Sequence, residues 1–485
     1  MSYFSELAFQ YIDGEWRPGS GSWDIVDFNP YNGEKLAAIT VATVDEVDQA
    51  YRAAERAQPE WGATNPYTRR LVFERALRIV EDREAELTEA IVAEVGGTLL
   101  KAAFELHLAK EFLREAISLA LRPEGRIIPS PVDGKENRLY RVPVGVVGVI
   151  SPFNFPFLLS LKSVAPALAL GNAVVLKPHQ NTPVCGGGLV AKVLEEAGLP
   201  AGLLNVVITD IAEIGDALIE HPVPKVISFT GSDKVGRHVA TVAASHFKRT
   251  VLELGGNSAL VVLDDADLDY AVDAAVFSRF VHQGQVCMAA NRILVDRGVE
   301  REFTEKFVAK VESLTIGDPG DPATHIGPLI NEGQAESVTQ VVEQTIADGA
   351  TALVRGRTQG TLVWPVVLTD VAQDSPVLRQ EVFGPVAVLV PFDGDEEAVS
   401  LVNATPYGLS GAVHTGDIER GVRFARRIDT GMFHVNDSTV HDEPIVPFGG
   451  EKFSGVGRLN GDSMVENFTT TKWISVQHGR SQFPF

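Results

Sequence analysis

The chain has 485 residues, of which 45% are hydrophobic and 22% charged, and this composition is typical of a soluble globular α/β protein with two or three domains. The formal net charge of -22 would repel nucleic acid and anionic lipid, so neither is expected as a partner. Two cysteines supply no disulfide framework and no metal-ligand spacing with histidine, which predicts a cytoplasmic protein without a metal site. The apolar runs are too short to cross a membrane.

The first part of the chain, to about residue 123, is predicted to be helical after a short strand start. Thr43-Val-Asp-Glu46 forms a capping box at the start of "VDEVDQAYRAAERA". The next stretch, "GRIIPSPVDGKENRLYRVPV", has two alternating runs around an Asp-Gly turn. We interpret it as a hairpin that projects from the body, and a second subunit is the usual cover for such exposed strand edges.

A regular alternation of strands and helices begins at Val144. The runs "VVGVI", "AVVLK", "LNVVI", "KVISF" and "TVLEL" are continuous, apolar and separated by helical stretches, which indicates a parallel sheet covered on both faces. In such sheets, ligands bind at the carboxyl ends of the strands. A second α/β region extends from about Asp265 to Asn436, followed by the glycine-rich "PFGGEKFSGVGR" and a final strand, "TTTKWISV".

Polar residues stand where several of these strands end. Asn154 and Lys177 follow the first two strands, and Glu253 ends the fifth before two glycines. The turn from Gly231 to Gly236 opens a helix, where backbone N–H groups could bind a pyrophosphate. Each of these features also has a structural interpretation. Asn154 could be a helix cap, Lys177 a solvated lysine and Glu253 an exposed glutamate, and the glycine turn could be an ordinary strand-to-helix turn.

The two cysteines lie in different environments. Cys287, in "HQGQVCMAANR", has polar and small neighbours, whereas Cys185, in "PVCGGGLVAKV", fits a small residue of a packed helix. His282 precedes Cys287 and would suit a Cys/His hydrolase, but no Asn or Asp accompanies it as the group that orients the histidine.

Taken together, the motifs resemble one family. "SPFNFP", "ALALGNAVVLKP", "FTGSDKVG", "LELGG", "GQVC", "EVFGPV" and "PFGGEKFSGVGR" occur in the order seen in the aldehyde dehydrogenase superfamily, and the resemblance covers nearly the whole chain. It implies an α/β fold with a Rossmann-like cofactor domain, a second α/β catalytic domain and a small β oligomerisation element. The implied boundaries are 1–123 and 144–253 for the cofactor domain (to which 435–465 returns), 254–434 for the catalytic domain, and 124–143 with 466–485 for oligomerisation.

The resemblance also implies a mechanism. Cys287, as thiolate, would attack the aldehyde carbon, and the Asn154 side chain with the Cys287 backbone N–H would hold the oxyanion. After hydride loss to a nicotinamide ring, Glu253 would act as general base to hydrolyse the thioester. Retention of Glu253 argues against a CoA-acylating enzyme, and the presence of all three residues argues against a catalytically silent structural or binding relative.

The implied cofactor residues are Lys177 and Gln180 at the adenosine ribose, Gly231, Ser232 and Gly236 at the pyrophosphate, and Glu381 and Phe383 at the nicotinamide end. Gln180 departs from the pattern of many NAD-preferring members, which carry a glutamate there. Because a neutral amide would not repel a 2′-phosphate, we expect NAD as the main cofactor, with NADP tolerated.

The segments "HQGQVCMAANRILV" and "NDSTVHDEPIVPFGG" resemble bacterial aryl-aldehyde members that oxidise benzaldehyde, salicylaldehyde or vanillin. The apolar pocket expected for a flat ring comprises Phe155, Leu159, Val286, Met288 and Ile445. The alternative within this family is succinate semialdehyde or another aliphatic aldehyde, against which the lack of a clear carboxylate-binding arginine argues mildly. A homodimer or tetramer is expected.

Overall fold

The computed structural model describes residues 2–485 and has a mixed α/β architecture built around two large sheets, as the sequence predicts. The first sheet has eight strands, and its five central strands are parallel because helical crossovers connect them. In spatial order the eight strands are Glu15–Arg17, Gln10–Ile12, Leu204–Val206, Ala173–Lys177, Val146–Ile150, Val226–Thr230, Arg249–Glu253 and Gly455–Val456.

Helices cover both faces of this sheet, which explains why its strands are almost uninterrupted runs of buried Val, Ile and Leu. Four long helices precede the parallel strands: Val44–Ala63, Pro66–Asp82, Glu84–Val95 and Leu99–Leu119, after the short N-terminal helix Ser2–Leu7. The crossover helices are Pro156–Ala169, Leu189–Glu196 (after a π-helical turn, Val184–Gly188), Ile211–Ile214, Ala217–Glu220 and Asp233–Ser245.

The second sheet has seven strands and supplies a separate set of buried apolar clusters. In spatial order they are Thr351–Val354, Val366–Thr369, Val386–Phe392, Ala290–Asp296, Ser258–Val262, Gly411–His414 and His434–Val435. Its helices are Leu268–Phe280, Glu300–Glu312, Glu332–Ala347, Pro376–Arg379, Gly394–Asn403 and Ile418–Ala425, with a short 3₁₀ turn at Val281–Gly284. The helix Gly461–Phe468 follows near the C-terminus.

A third, three-stranded antiparallel sheet stands apart from the two large ones. It pairs Lys135–Pro143 with Arg126–Pro129 on one side and with Thr469–Gln477 on the other. Three two-stranded pairs complete the sheets: Asp24–Phe28 with Lys35–Thr40, Thr358–Gln359 with Leu362–Val363, and Tyr407–Gly408 with Glu451–Lys452. Within residues 2–485, no helix is long and apolar enough to span a bilayer.

The connection between the two large sheets determines where the candidate residues meet. Only the segment 254–257 separates the strand that ends at Glu253 from the strand that begins at Ser258. The carboxyl ends of the first sheet therefore face the amino ends of the second. Cys287 lies just before the second-sheet strand Ala290–Asp296, so the fold brings it to the same junction as Glu253.

Candidate active site

A cleft of about 480 Å³ lies at this junction and contains most of the predicted site residues. Its walls are formed by the strand ends of the first sheet, by the loop that contains Cys287 and by the segment before the strand Val386–Phe392. The predicted residues that line it are Asn154, Leu159, Lys177, Gln180, Gly231, Ser232, Glu253, Cys287, Glu381 and Phe383.

Cys287 is half-buried at the wall of the cleft. Burial, followed by the neighbouring Glu381 carboxylate, raises the pKa of its thiol to about 12, while the positive charge of Lys162 acts in the opposite direction. At this pKa the thiol is mostly protonated near neutral pH. A base must receive its proton before or during nucleophilic attack.

Asn154 is buried at the start of the helix Pro156–Ala169, and its side chain is fixed by the loop that carries the cysteine. Its Nδ2 donates a hydrogen bond to the carbonyl oxygen of Gln285 at 3.0 Å. An amide NH2 has two N–H groups, so the second one is available toward the cleft that Asn154 lines. This amide is therefore anchored two residues before Cys287.

Glu253 is buried at the end of its strand, and neither of its carboxylate oxygens has a hydrogen-bond partner. Burial raises its pKa to about 8, against the opposing charges of Lys162 and Arg458. Gly449 backs the carboxylate closely, because a Cβ at that glycine would lie 2.9 Å from Oε1. The raised pKa suits Glu253 to act as a general base, and the lack of a side chain at Gly449 leaves room for its carboxylate.

A buried ion pair beside Glu253 was not predicted from the sequence. Lys162 Nζ lies 2.6 Å from Asp442 Oδ2, with both side chains nearly inaccessible to solvent. The same ammonium lies 3.5 Å from the centre of the Phe448 ring, directly before the glycine that backs Glu253. A lysine within the otherwise apolar helix "PFLLSLKSVAPALA" was the available sequence signal. Lys162 places a positive charge where it lowers the pKa values of Glu253 and Cys287.

Glu381 lies on the opposite wall, and burial raises its pKa to about 8. Its Oε1 accepts a hydrogen bond from Gly256 N–H at 3.2 Å. A Cβ at Gly255 would lie 2.5 Å from Oε2, which explains why the "LELGG" motif has a glycine there. Phe383 completes this wall with its ring edge-on to Phe153, at a centroid distance of 5.7 Å.

The other end of the cleft contains Lys177, whose pKa is lowered by burial although the Asp210 carboxylate counteracts this shift. Gln180 is exposed beside it. Ser232 caps the helix Asp233–Ser245 by accepting a hydrogen bond from Val235 N–H. Gly236 lies one turn into that helix, packed against the Leu254 side chain, and is not on the cleft wall. Asp210 was not predicted as a site residue, although it lies two residues after the end of the strand run "LNVVI".

A second cavity, of about 490 Å³, contains the Asp442 end of the ion pair. Ile445, which was predicted for a substrate pocket, lines it and is 65% exposed. Leu159 instead lines the first cleft, while Phe155, Val286 and Met288 are buried in one large apolar cluster and line neither cavity. The predicted apolar set is thus distributed over two cavities and the packing around them.

The hydrolase alternative lacks the geometry that it requires. His282 is buried with its ring against Phe155, at a centroid distance of 5.3 Å, and both ring nitrogens lack a hydrogen-bond partner. Burial holds its pKa well below the usual value, so it is neutral. Cys185 is fully buried, and its backbone N–H donates to Glu94.

Comparison with known proteins identifies the family of the chain. Residues 16–474 match the aldehyde dehydrogenase family. The chain is 56% identical to a benzaldehyde dehydrogenase of Bacillus subtilis over 485 residues, covering 100% of both chains. It is 47% identical to a vanillin dehydrogenase of Corynebacterium glutamicum over 468 residues, covering 96% of this chain and 97% of the other. The crystal structure of an NAD-dependent benzaldehyde dehydrogenase from Corynebacterium glutamicum superposes with a TM-score of 0.90 at 44% identity, covering 97% of this chain and 98% of that one. The chain belongs to the aldehyde dehydrogenase family and is an NAD(P)-dependent aldehyde dehydrogenase.

Proposed function

We propose that this enzyme oxidises aromatic aldehydes of the benzaldehyde and vanillin type to carboxylic acids, with Cys287 as nucleophile. The observation that carries the proposal is that the Cys287 thiol, the Asn154 amide and the Glu253 carboxylate line one cleft. The names of the relatives supply the aromatic substrate class.

The first step joins Cys287 Sγ to the aldehyde carbon. Because the pKa of the resting thiol is about 12, a carboxylate must accept its proton, and Glu253, which lines the same cleft, is the proposed base. The carbonyl oxygen becomes an oxyanion, which the free N–H of Asn154 and the backbone N–H of Cys287 stabilise. Hydride loss from the same carbon leaves a thioester on Cys287.

The second half of the reaction depends on Glu253. It first releases the proton of the thiol to solvent and, again as a carboxylate, removes a proton from the water that attacks the thioester; returning that proton to the departing sulfur releases the acid and the cysteine thiol. The absence of any hydrogen bond to its two oxygens leaves both lone-pair sets available to thiol and water. One buried carboxylate thus serves both proton transfers.

The lining of the cleft, which includes Gly231 and Gly255 beside strand ends of the first sheet, supports binding of a dinucleotide. Lys177 and Gln180 would hold the adenosine ribose, Gly231 and Ser232 the pyrophosphate, Glu381 the nicotinamide ribose, and Phe383 the ring. Gly236 would act only indirectly, by its close packing against Leu254 behind the pyrophosphate turn. When bound, the nicotinamide supplies the hydride acceptor. The neutral Gln180 lets NADP be tolerated, whereas the Asp210 carboxylate on the same wall disfavours a 2′-phosphate, so NAD is preferred.

We propose that the aldehyde enters through the second cavity, which Ile445 of the predicted substrate pocket lines, and the charges around this cavity favour an uncharged aldehyde. Its Arg114 is paired with Glu81 and Glu111, and Lys162 behind it is paired with Asp442. A substrate carboxylate would have to displace one of these partners. This argues for a benzaldehyde over succinate semialdehyde.

A panel of aldehydes, followed by NADH absorbance, tests the proposal. We expect kcat/KM for benzaldehyde and vanillin to exceed that for acetaldehyde and succinate semialdehyde by at least about tenfold. Cys287→Ala should abolish NADH formation while nucleotide binding persists, and the matched variant Cys185→Ala should retain activity because that thiol is buried away from the cleft. A preference for succinate semialdehyde would contradict the substrate class, and activity in Cys287→Ala would contradict the mechanism.

We also propose that 124–143 and 466–485 join subunits into a homodimer or tetramer, whereas 1–123 with 144–253 (and 435–465) bind the cofactor and 254–434 carry the catalytic cysteine. Ile127 and Trp473 support the first part, because they are 71% and 64% exposed on the three-stranded sheet. Sedimentation of the double variant Ile127→Glu, Trp473→Glu should show dissociation, and an unchanged mass would contradict this role.

A cytoplasmic location suits the two free thiols and is testable by cell fractionation.

A further inference from the structure

Arg279 is a fully buried arginine on the helix Leu268–Phe280, and its guanidinium is held by backbone and amide oxygens. Nη1 donates to the Asn291 side-chain oxygen, and Nη2 donates to the carbonyl oxygens of Val382, at 2.9 Å, and Gly384. The carbonyl oxygen of Gly284 lies 3.5 Å from Nη2. A planar guanidinium presents its donors in a fixed fork, so these acceptors are held in fixed positions relative to one another.

These acceptors belong to two segments that the cleft brings face to face. Gly284 and Asn291 bracket Cys287 in the chain, while Val382 and Gly384 flank Phe383 and follow Glu381. The cysteine segment and the Glu381–Phe383 segment are thus connected through one side chain. These two segments are far apart in the chain, so a specific contact is needed to fix their relative position.

The cysteine segment also starts from an unfavourable backbone conformation, which is why it needs such support. His282, Gln283 and Gly284 all have positive φ, at 51°, 58° and 74°. A left-handed conformation is unfavourable for a residue with a side chain. Gln283 Nε2 offsets part of this cost by bonding the carbonyl oxygens of Gly96, at 2.9 Å, and Pro328, at 3.0 Å. Arg279 closes the other side of the same turn.

We propose that Arg279 is a positioning residue that holds the Cys287 loop in register with the Glu381–Phe383 segment. The proposal rests on the roles proposed above for Cys287 and Glu381. Hydride transfer requires the carbon bound to Cys287 to align with a cofactor held by Glu381, and a misplacement of about 1 Å can cost 10²-fold in rate. Hydrolysis of an activated ester requires Cys287, Asn154 and Glu253 but neither cofactor nor Glu381.

The two reactions therefore separate positioning from general structural damage. With 4-nitrophenyl acetate, Cys287 Sγ displaces 4-nitrophenolate to form an acetyl thioester, which Glu253-activated water hydrolyses. In Arg279→Met we expect kcat/KM for benzaldehyde oxidation, which includes hydride transfer but not thioester hydrolysis, to fall about 10²-fold, while ester hydrolysis without NAD changes by less than about threefold. Arg279→Lys keeps the charge but not the fork, so it should recover only part of the oxidation rate.

Arg292→Met is the matched control. Arg292 is also buried. Its guanidinium donates to the backbone carbonyl oxygens of Leu401, at 2.7 Å, Val402, at 3.1 Å, and Asn257, and all three lie outside the two connected segments. We expect thermal stability to fall in both methionine variants, but the ratio of oxidation to ester hydrolysis to fall only in Arg279→Met. Thermal melting and NAD titration by fluorescence establish that each variant is folded and binds cofactor.

Two results would overturn the inference: a parallel fall of both reactions in Arg279→Met, or an unchanged oxidation rate in a folded Arg279→Met. Cys287→Ala is run beside them. If that variant retains both reactions, the proposed nucleophile is wrong regardless of what Arg279 does, so the two failures are distinguishable.

Discussion

Thioester hydrolysis should become faster as the pH rises, because Glu253 must be ionised to act as a base. Burial raises the pKa of this carboxyl to about 8, so its basic form is depleted below that pH. A group with a pKa of about 8 is about one-tenth ionised at pH 7 and about nine-tenths ionised at pH 9. If hydrolysis limits turnover, kcat for benzaldehyde should therefore rise about tenfold from pH 7 to pH 9.

Rapid mixing of enzyme, NAD and benzaldehyde separates the two half-reactions. Because Glu253 also accepts the Cys287 proton, both the NADH burst from thioester formation and the steady phase should become faster from pH 7 to pH 9, and a burst followed by a slower steady phase indicates that hydrolysis limits turnover. Because Glu253 is proposed to serve both proton transfers, Glu253→Gln should slow the burst and the steady phase by about 10²- to 10⁴-fold at every pH and remove their pH dependence. A steady phase in the unmodified enzyme that does not change across this range would refute the assignment of Glu253 as the titrating base.

Three further predictions follow from neighbouring contacts. Gly255→Ala would place a Cβ 2.5 Å from Glu381 Oε2, so KM for NAD should rise about tenfold in steady-state titrations, and an unchanged KM would contradict this packing. Lys162→Met removes a charge that lowers the pKa of Glu253, so the acidic limb of the kcat–pH profile should move up by about one pH unit, with Lys162→Arg retaining it. Gln180→Glu should lower kcat/KM for NADP about tenfold or more while that for NAD is maintained, and equal losses for both would show that this position does not face the ribose.

The sequence predicted those parts of the site that local pattern encodes. Strand ends located Asn154, Lys177 and Glu253, since a buried parallel strand determines where its carboxyl end emerges. The pairing of Lys162 with Asp442 and the contacts of Arg279 could not be predicted, because they join segments far apart in the chain. The side-chain direction of Phe155, Val286 and Met288 was also not encoded locally: an apolar residue next to a catalytic one suits the core as well as a pocket wall.

The burial of Cys287 also affects how long the enzyme lasts between turnovers. Peroxides attack the thiolate and not the thiol, and a side chain with a pKa of about 12 exposes very little thiolate at neutral pH. Hydrogen peroxide should therefore inactivate the resting enzyme more slowly than it oxidises free cysteine, as the loss of activity over time would reveal. The environment that makes a proton-accepting carboxylate necessary should therefore also slow the oxidation of the sulfur between turnovers.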